Sequence, residues 1–168
     1  MKQAATCIST ALVKEHGLQP GDAVALFSRN AIWYPVTMFA VNRVGGVISG
    51  ASPAYNVEEM TYALQKANAK FLFTSPTSID VAEKAAKNAG IPRSKIFLLE
   101  GEKAGYTKVT ELVNMGESLG EGGQVPPYKI AAGKTNAQTC GFLSFSSGTT
   151  GLPKAVSSRA MYCLFRDH

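Results

Sequence analysis

Histidine, tryptophan and cysteine are scarce in this 168-residue chain, at two, one and three copies. With only His16 and His168 present, a histidine-built metal centre is not expected. Cys7, Cys140 and Cys163 are odd in number and form no Cys-x-x-Cys pair, which argues against a disulfide framework or a zinc site and predicts reduced, intracellular thiols. No apolar run approaches the roughly 18 residues of a membrane-spanning helix. The segment after Met1 is interrupted by Thr6, Ser9 and Lys14, so it lacks the core of a secretory signal. A soluble, cytoplasmic protein with no transmembrane segment is expected. Arg166-Asp167-His168 is not a peroxisomal tail of the Ser-Lys-Leu type, although a full-length relative could carry one. Charge is not concentrated either. The formal net charge is +5, and the densest basic stretch, Lys84 to Lys95, is diluted by Glu83 and alanines. It reads as solvated surface, and no nucleic-acid partner is expected.

What is present is a globular composition, 45% hydrophobic and 17% charged, long enough for one compact domain. Ala5, Ile8 and Leu12 recur at helical spacing and His16-Gly17 supplies a stop, predicting a helix over 2–16. Pro20-Gly21-Asp22 turns into the apolar run Ala23 to Phe27, a strand covered on both faces. Asn30 can cap a second helix running to about Val44, or the helix begins near Trp33, with Pro35 in its tolerant first turns. Trp33, Tyr34 and Phe39 sit at helical spacing and read as core. Val47 to Ser49 is a strand candidate, and Asn56 with Glu59 has capping-box spacing for a helix to about Asn68. A strand over Lys70 to Thr74, a helix from Ser78 to Gly90 and a strand over Lys95 to Leu99 follow. Lys108 to Val113 reads as a short helix, and Gly116 to Gly133 as an exposed loop rich in Gly and Pro. Strands alternating with helices predict an α/β fold with a mainly parallel sheet.

The chain recovers at Cys140 to Phe145, a strand leading directly into Ser146-Ser147-Gly148-Thr149-Thr150-Gly151-Leu152-Pro153-Lys154. Composition alone would allow a flexible surface loop. The ordered mix is nevertheless what a polyphosphate needs: glycines let backbone amides converge on an anion, hydroxyls add neutral donors, and one lysine adds a mobile point charge. The spacing does not fit a Walker A loop, and no Gly-x-Gly-x-x-Gly fingerprint is present. Cys140 reads as a packed small side chain.

This motif resembles the phosphate loop of the adenylate-forming (AMP-binding) superfamily, which includes acyl-CoA synthetases and coumarate-CoA and phenylacetate-CoA ligases. Gly21 to Ala25, Ala40-Val41 before Gly45-Gly46-Val47, and Ser52-Pro53-Ala54-Tyr55 before Glu58-Glu59 agree, so the resemblance covers nearly all of residues 10 to 156. It implies a partial amino-terminal domain over 1–156 and a divergent tail over 157–168. It also implies a two-step reaction, in which a carboxylate attacks the α-phosphate of MgATP and coenzyme A thiol then displaces AMP. By the same resemblance Ser146, Ser147, Gly148, Thr149, Thr150 and Lys154 would hold the β- and γ-phosphates, while Gly151 and Pro153 shape the loop. ATP with Mg2+ and coenzyme A are the implied cofactor and co-substrate, and a carboxylic acid the implied substrate.

Ala155 stands where the family usually has glycine, and Arg159-Ala160 where it has a Ser/Thr-His pair. The groups that bind adenine, ribose, magnesium and most of the acid are implied to lie downstream, so no catalytic residue is assigned. The chain reads as clipped at both ends, through a truncated product or a misread frame after Val156, and as inactive alone and prone to aggregate. A non-catalytic module that binds ATP phosphates or pairs with a full-length paralogue is the alternative. A receiver-like signalling domain is disfavoured, because no acidic cluster sits at the strand ends.

Overall fold

The computed structural model describes residues 1–130, 132, 133, 135 and 139–146, the last as backbone only, together with the backbone of 154–159. Helix α1 (Lys2–Lys14) buries Ala5, Ile8 and Leu12. It ends where Gly17 takes a positive φ of 73° and Leu18 N donates back to Leu12 O at 2.9 Å, a left-handed stop that a β-carbon would oppose. Strand β1 (Ala23–Phe27) is buried along its whole length. Helix α2 (Trp33–Arg43) opens after Ile32 with no side-chain cap. The Asn30 cap is therefore not made: Tyr34 N donates to Ala31 O at 3.1 Å, and that turn delays the helix to Trp33. Strand β2 (Val47–Gly50) leads to α3 (Val57–Lys66). There the capping box forms as its spacing predicts: Glu59 N donates to Asn56 Oδ1 and Asn56 N to Glu59 Oε2, each at 2.9 Å.

Strand β3 (Ala69–Thr74), a 3-10 turn (Pro76–Ser78), α4 (Ile79–Asn88) and β4 (Ile96–Leu98) follow. Beyond them lie the two-residue β5 (Thr107–Lys108), α5 (Val109–Ser118), the short α6 (Gly120–Gly123), β6 (Cys140–Ser146) and β7 (Lys154–Arg159). The seven-stranded sheet has the order β5-β4-β3-β1-β2-β6-β7. Every neighbouring pair is parallel except β6 with β7.

Alternation along each strand feeds two cores. Val24, Leu26, Ile48, Phe71, Phe73 and Phe97 face α1, α2 and α5, with Trp33, Tyr34 and Phe39 packed against that layer. Ala23, Ala25, Phe27, Val47, Leu72 and Leu98 face α3 and α4. With helices on both faces, β1 to β4 are covered as their continuous apolar runs demand, whereas Phe142, Leu143 and Phe145 of β6 are only half-buried.

Two expectations change after Leu99. The helix expected over Lys108 to Val113 runs on to Ser118, so Gly116 belongs to α5 and not to an exposed loop. The glycine is there for proximity: a β-carbon on Gly116 would lie 2.2 Å from Cys7 O and 2.4 Å from Cys7 Cα. The α1 backbone occupies that space, so α5 can press against it only without a side chain. The chain then crosses the same layer. Val125 N donates to Thr10 Oγ1 at 3.1 Å, and Tyr128 N to Arg43 O at 2.8 Å. Buried Arg43 itself donates to Ser9 Oγ at 3.0 Å.

At the amino edge of the sheet, Lys95 Nζ donates to His16 O and sits 4.8 Å from the Phe71 ring centroid. The His16 ring meets Phe97 edge-on at 4.8 Å. Burial, reinforced by the Lys95 charge, holds the imidazole below its ordinary value of 6.5.

Two outcomes are expected. Gly116→Val should cost about 1–3 kcal/mol or more in urea unfolding, because backbone cannot yield as a flexible side chain does. For His16 the unfolded chain binds the proton more readily than the folded one. Its contribution should be complete above pH 6.5 and be lost as pH falls below that value. The unfolding midpoint of His16→Gln, followed against pH, should lack that acid-side decline.

Candidate functional site

Because β1, β2, β3, β4 and β6 run parallel, their carboxyl ends share one edge of the sheet. Ligands of open parallel sheets bind outside that edge, where successive crossovers leave to opposite faces. Here β1 feeds α2 on one face, whereas its neighbours β2 and β3 feed α3 and α4 on the other.

Strand β6 delivers the hydroxyl- and glycine-rich segment to this edge. Its register against β2 pairs Ile48 with Phe142, Ser49 with Leu143 and Gly50 with Ser144. Against β7 the pairing ends with Ser146 opposite Lys154. The first residue of the motif and its lysine are thus cross-strand partners at the mouth of a hairpin, with Cα atoms about 4.5–5.5 Å apart as such pairs are. Ser147, Gly148, Thr149, Thr150 and Gly151, with Leu152 and Pro153, lie outside the described residues.

The neighbouring helix starts are poorly placed to hold an anion by themselves. At α3 the Glu59 amide is taken by Asn56, and Glu58 and Glu59 put negative charge in the first turn. At α2, Pro35 has no amide hydrogen and the Tyr34 amide is engaged by Ala31 O. At the same edge the Ser28 and Thr74 hydroxyls, at the ends of β1 and β3, are buried without hydrogen-bond partners among the described residues.

Two residues the motif did not reveal support β6. A β-carbon on Gly50 would stand 3.6 Å from the Tyr34 hydroxyl, so that phenol, raised in pKa by burial, lies over the residue paired with Ser144. Asn42, with its amide nitrogen turned toward them, donates to Gly141 O at 3.1 Å and Gly46 O at 3.0 Å, tying the start of β6 to the turn before β2. Neither residue lies near the motif in sequence, so no local signal marks them. Cys140 is half-buried against the α3 and α4 layer with Sγ donating to Phe142 O at 3.6 Å, in keeping with a packing role. Among the described residues no group of three or more His, Cys, Asp or Glu could hold a metal ion. No helix among them is long and apolar enough to cross a membrane.

The profile of the family described as AMP-binding enzyme matches residues 1–164. The acyl-CoA ligase azaF of Aspergillus niger is 32% identical over 157 residues, covering 92% of this chain and 29% of its own length. The phenylacetyl-CoA ligase epaB of the same species is 32% identical over 164 residues, with the same two coverages. Among solved structures, the anthranilate CoA ligase AuaEII in complex with anthranoyl-AMP superposes with a TM-score of 0.75 at 21% identity, over 94% of this chain and 28% of that one. A long-chain-fatty-acid-CoA ligase from Archaeoglobus fulgidus gives 0.77 at 19% identity, with 94% and 29% covered. At such identities the structures speak to the fold alone. The chain spans about 29% of the length of the curated relatives it matches.

The Asn42 contacts carry their own test. Asn42→Asp replaces the donor by an acceptor facing two carbonyls, at a cost of about 1–3 kcal/mol. Amide hydrogen exchange over 142–145 should accelerate while exchange in β3 and β4 is unchanged.

Proposed function

Since the chain belongs to the AMP-binding enzymes, an acyl-CoA ligase family in its curated relatives, we propose that it supplies the triphosphate subsite of an ATP-dependent acyl- or aryl-CoA ligase. The observation that carries this reading is the Ser146 to Lys154 segment, anchored by cross-strand pairing of its two ends at the carboxyl edge of a parallel sheet.

Adenylate formation turns on charge. As a carboxylate oxygen attacks the α-phosphorus, the bond to the bridging oxygen breaks and negative charge builds on departing pyrophosphate. Donors preorganised around that group lower the barrier most. In the proposed arrangement the hydroxyls of Ser146, Ser147, Thr149 and Thr150, with the amides flanking Gly148 and Gly151, accept the β- and γ-phosphates. The Lys154 ammonium offsets the growing charge. The Mg2+ that accompanies ATP would shield the same phosphates, and its protein ligands are not supplied by any acidic cluster among the described residues. Attack on the adenylate by coenzyme A thiol then releases AMP. The reading places these later events on residues that the matched third of the relatives does not include, so this segment alone binds ATP without completing turnover. Binding of ATP phosphates by this segment would equally serve the non-catalytic alternative, and pull-down against a full-length relative separates the two.

Titration calorimetry with MgATP and with pyrophosphate tests the reading. Both should bind, and Lys154→Ala should weaken both by about tenfold or more, the loss of one charge-assisted contact. Binding that ignores Lys154, or no binding of either ligand, would remove the proposal.

A further inference from the structure

The basic stretch Lys84 to Lys95 folds around a cavity at the opposite end of the sheet from the Ser146 to Lys154 segment. It has a volume of about 560 Å³ and is lined by Glu83, Lys84 and Lys87 of α4, by Gly90, Ile91, Pro92 and Arg93, and by Ile96, the first residue of β4. Three cations face one carboxylate there, above a floor of Ile91, Pro92 and Ile96.

Basic residues at the end of a helix ordinarily need no ligand, because they serve its free carbonyls. At α4 those carbonyls already have partners. Ala85 O accepts from Ala89 N at 2.9 Å, Ala86 O from Ile91 N at 2.8 Å and Lys87 O from Gly90 N at 3.2 Å. Asn88 O accepts from Gln65 Nε2 at 3.3 Å. Lys84 and Lys87, one helical turn apart on the exposed face, have no carboxylate partner among the described residues.

Arg93 is held differently. Its guanidinium lies 3.6 Å from Glu83, donates to Ala104 O at 3.4 Å and stacks 4.6 Å above the Tyr106 ring. A β-carbon on Gly105 would approach Arg93 Nη2 to 3.0 Å, so the guanidinium packs closely on this loop, whose glycine has a φ of 82°. Burial, with the Glu83 carboxylate beside the hydroxyl, pushes the Tyr106 pKa up to about 12. It stays a neutral donor, so it adds no negative charge to the cluster. The result is one positioned cation, two free ones and an apolar base.

We propose that this cavity binds a phosphate monoester with an apolar or aromatic body. Such a group carries a charge of about −1.5 to −2 at neutral pH, which matches the excess of cations, and an apolar body covers the floor. The site is separate from the triphosphate subsite and does not depend on it.

The test is a titration of the 15N-labelled chain with phenyl phosphate, followed amide by amide. Saturable shifts are expected within 83–96, weakening as salt is raised. Benzyl alcohol should produce none, and inorganic phosphate should bind more weakly. Lys84→Glu with Lys87→Glu should lower the affinity for phenyl phosphate by about tenfold or more. Both side chains are exposed, so an unchanged spectrum elsewhere verifies the fold. Shifts confined to 146–154, no saturable response, or a double variant that binds like the parent would overturn the site. Equal affinity for inorganic phosphate would overturn the apolar body.

Discussion

Strand β6 has a single parallel neighbour, β2, and three register pairs hold the two together. The chain reaches that position only after a long excursion from β5 on the other side of the sheet, across the layer formed by α1, α2 and α5. Each stage of the crossing has an anchor: Gly116 lets α5 lie on the α1 backbone, Thr10 receives Val125, and Arg43 O receives Tyr128. Asn42 then fixes Gly141. The long loop closure is unfavourable in entropy, and these contacts offset it. They also bring a segment from the end of the sequence beside a strand laid down near its beginning.

Much of this architecture was legible because the early elements are locally consistent. Asn56 and Glu59 met as a capping box, and Ala23 to Phe27 is buried throughout as its apolar run demanded. Gly116 was misread because glycine carries two meanings: without the partner helix in view, a loop residue and a close helix contact look alike. Strand β5 escaped notice because two residues are too few to show alternation. Asn30 failed as a cap because the competing turn at Ala31 involves backbone alone, which composition does not report.

The site divides in the same way. The order and spacing of the motif carried the resemblance, and family membership follows from a match running almost the whole chain. What the string of letters could not supply was support from elsewhere. Tyr34 over Gly50 and Asn42 at Gly141 act across the sheet, where only the fold places them together. The basic stretch near Lys84 is exposed, as its sequence suggested, and only the fold shows that the α4 carbonyls beside it already have partners.

The two flanks of the sheet differ in what they permit. On one side β5 stops after two residues, passes at once into α5, and is flanked by the Glu102 to Lys108 ion pair. On the other, β7 stands last in the strand order. Short, charged borders discourage lateral growth, so the sheet is closed to further pairing past β5.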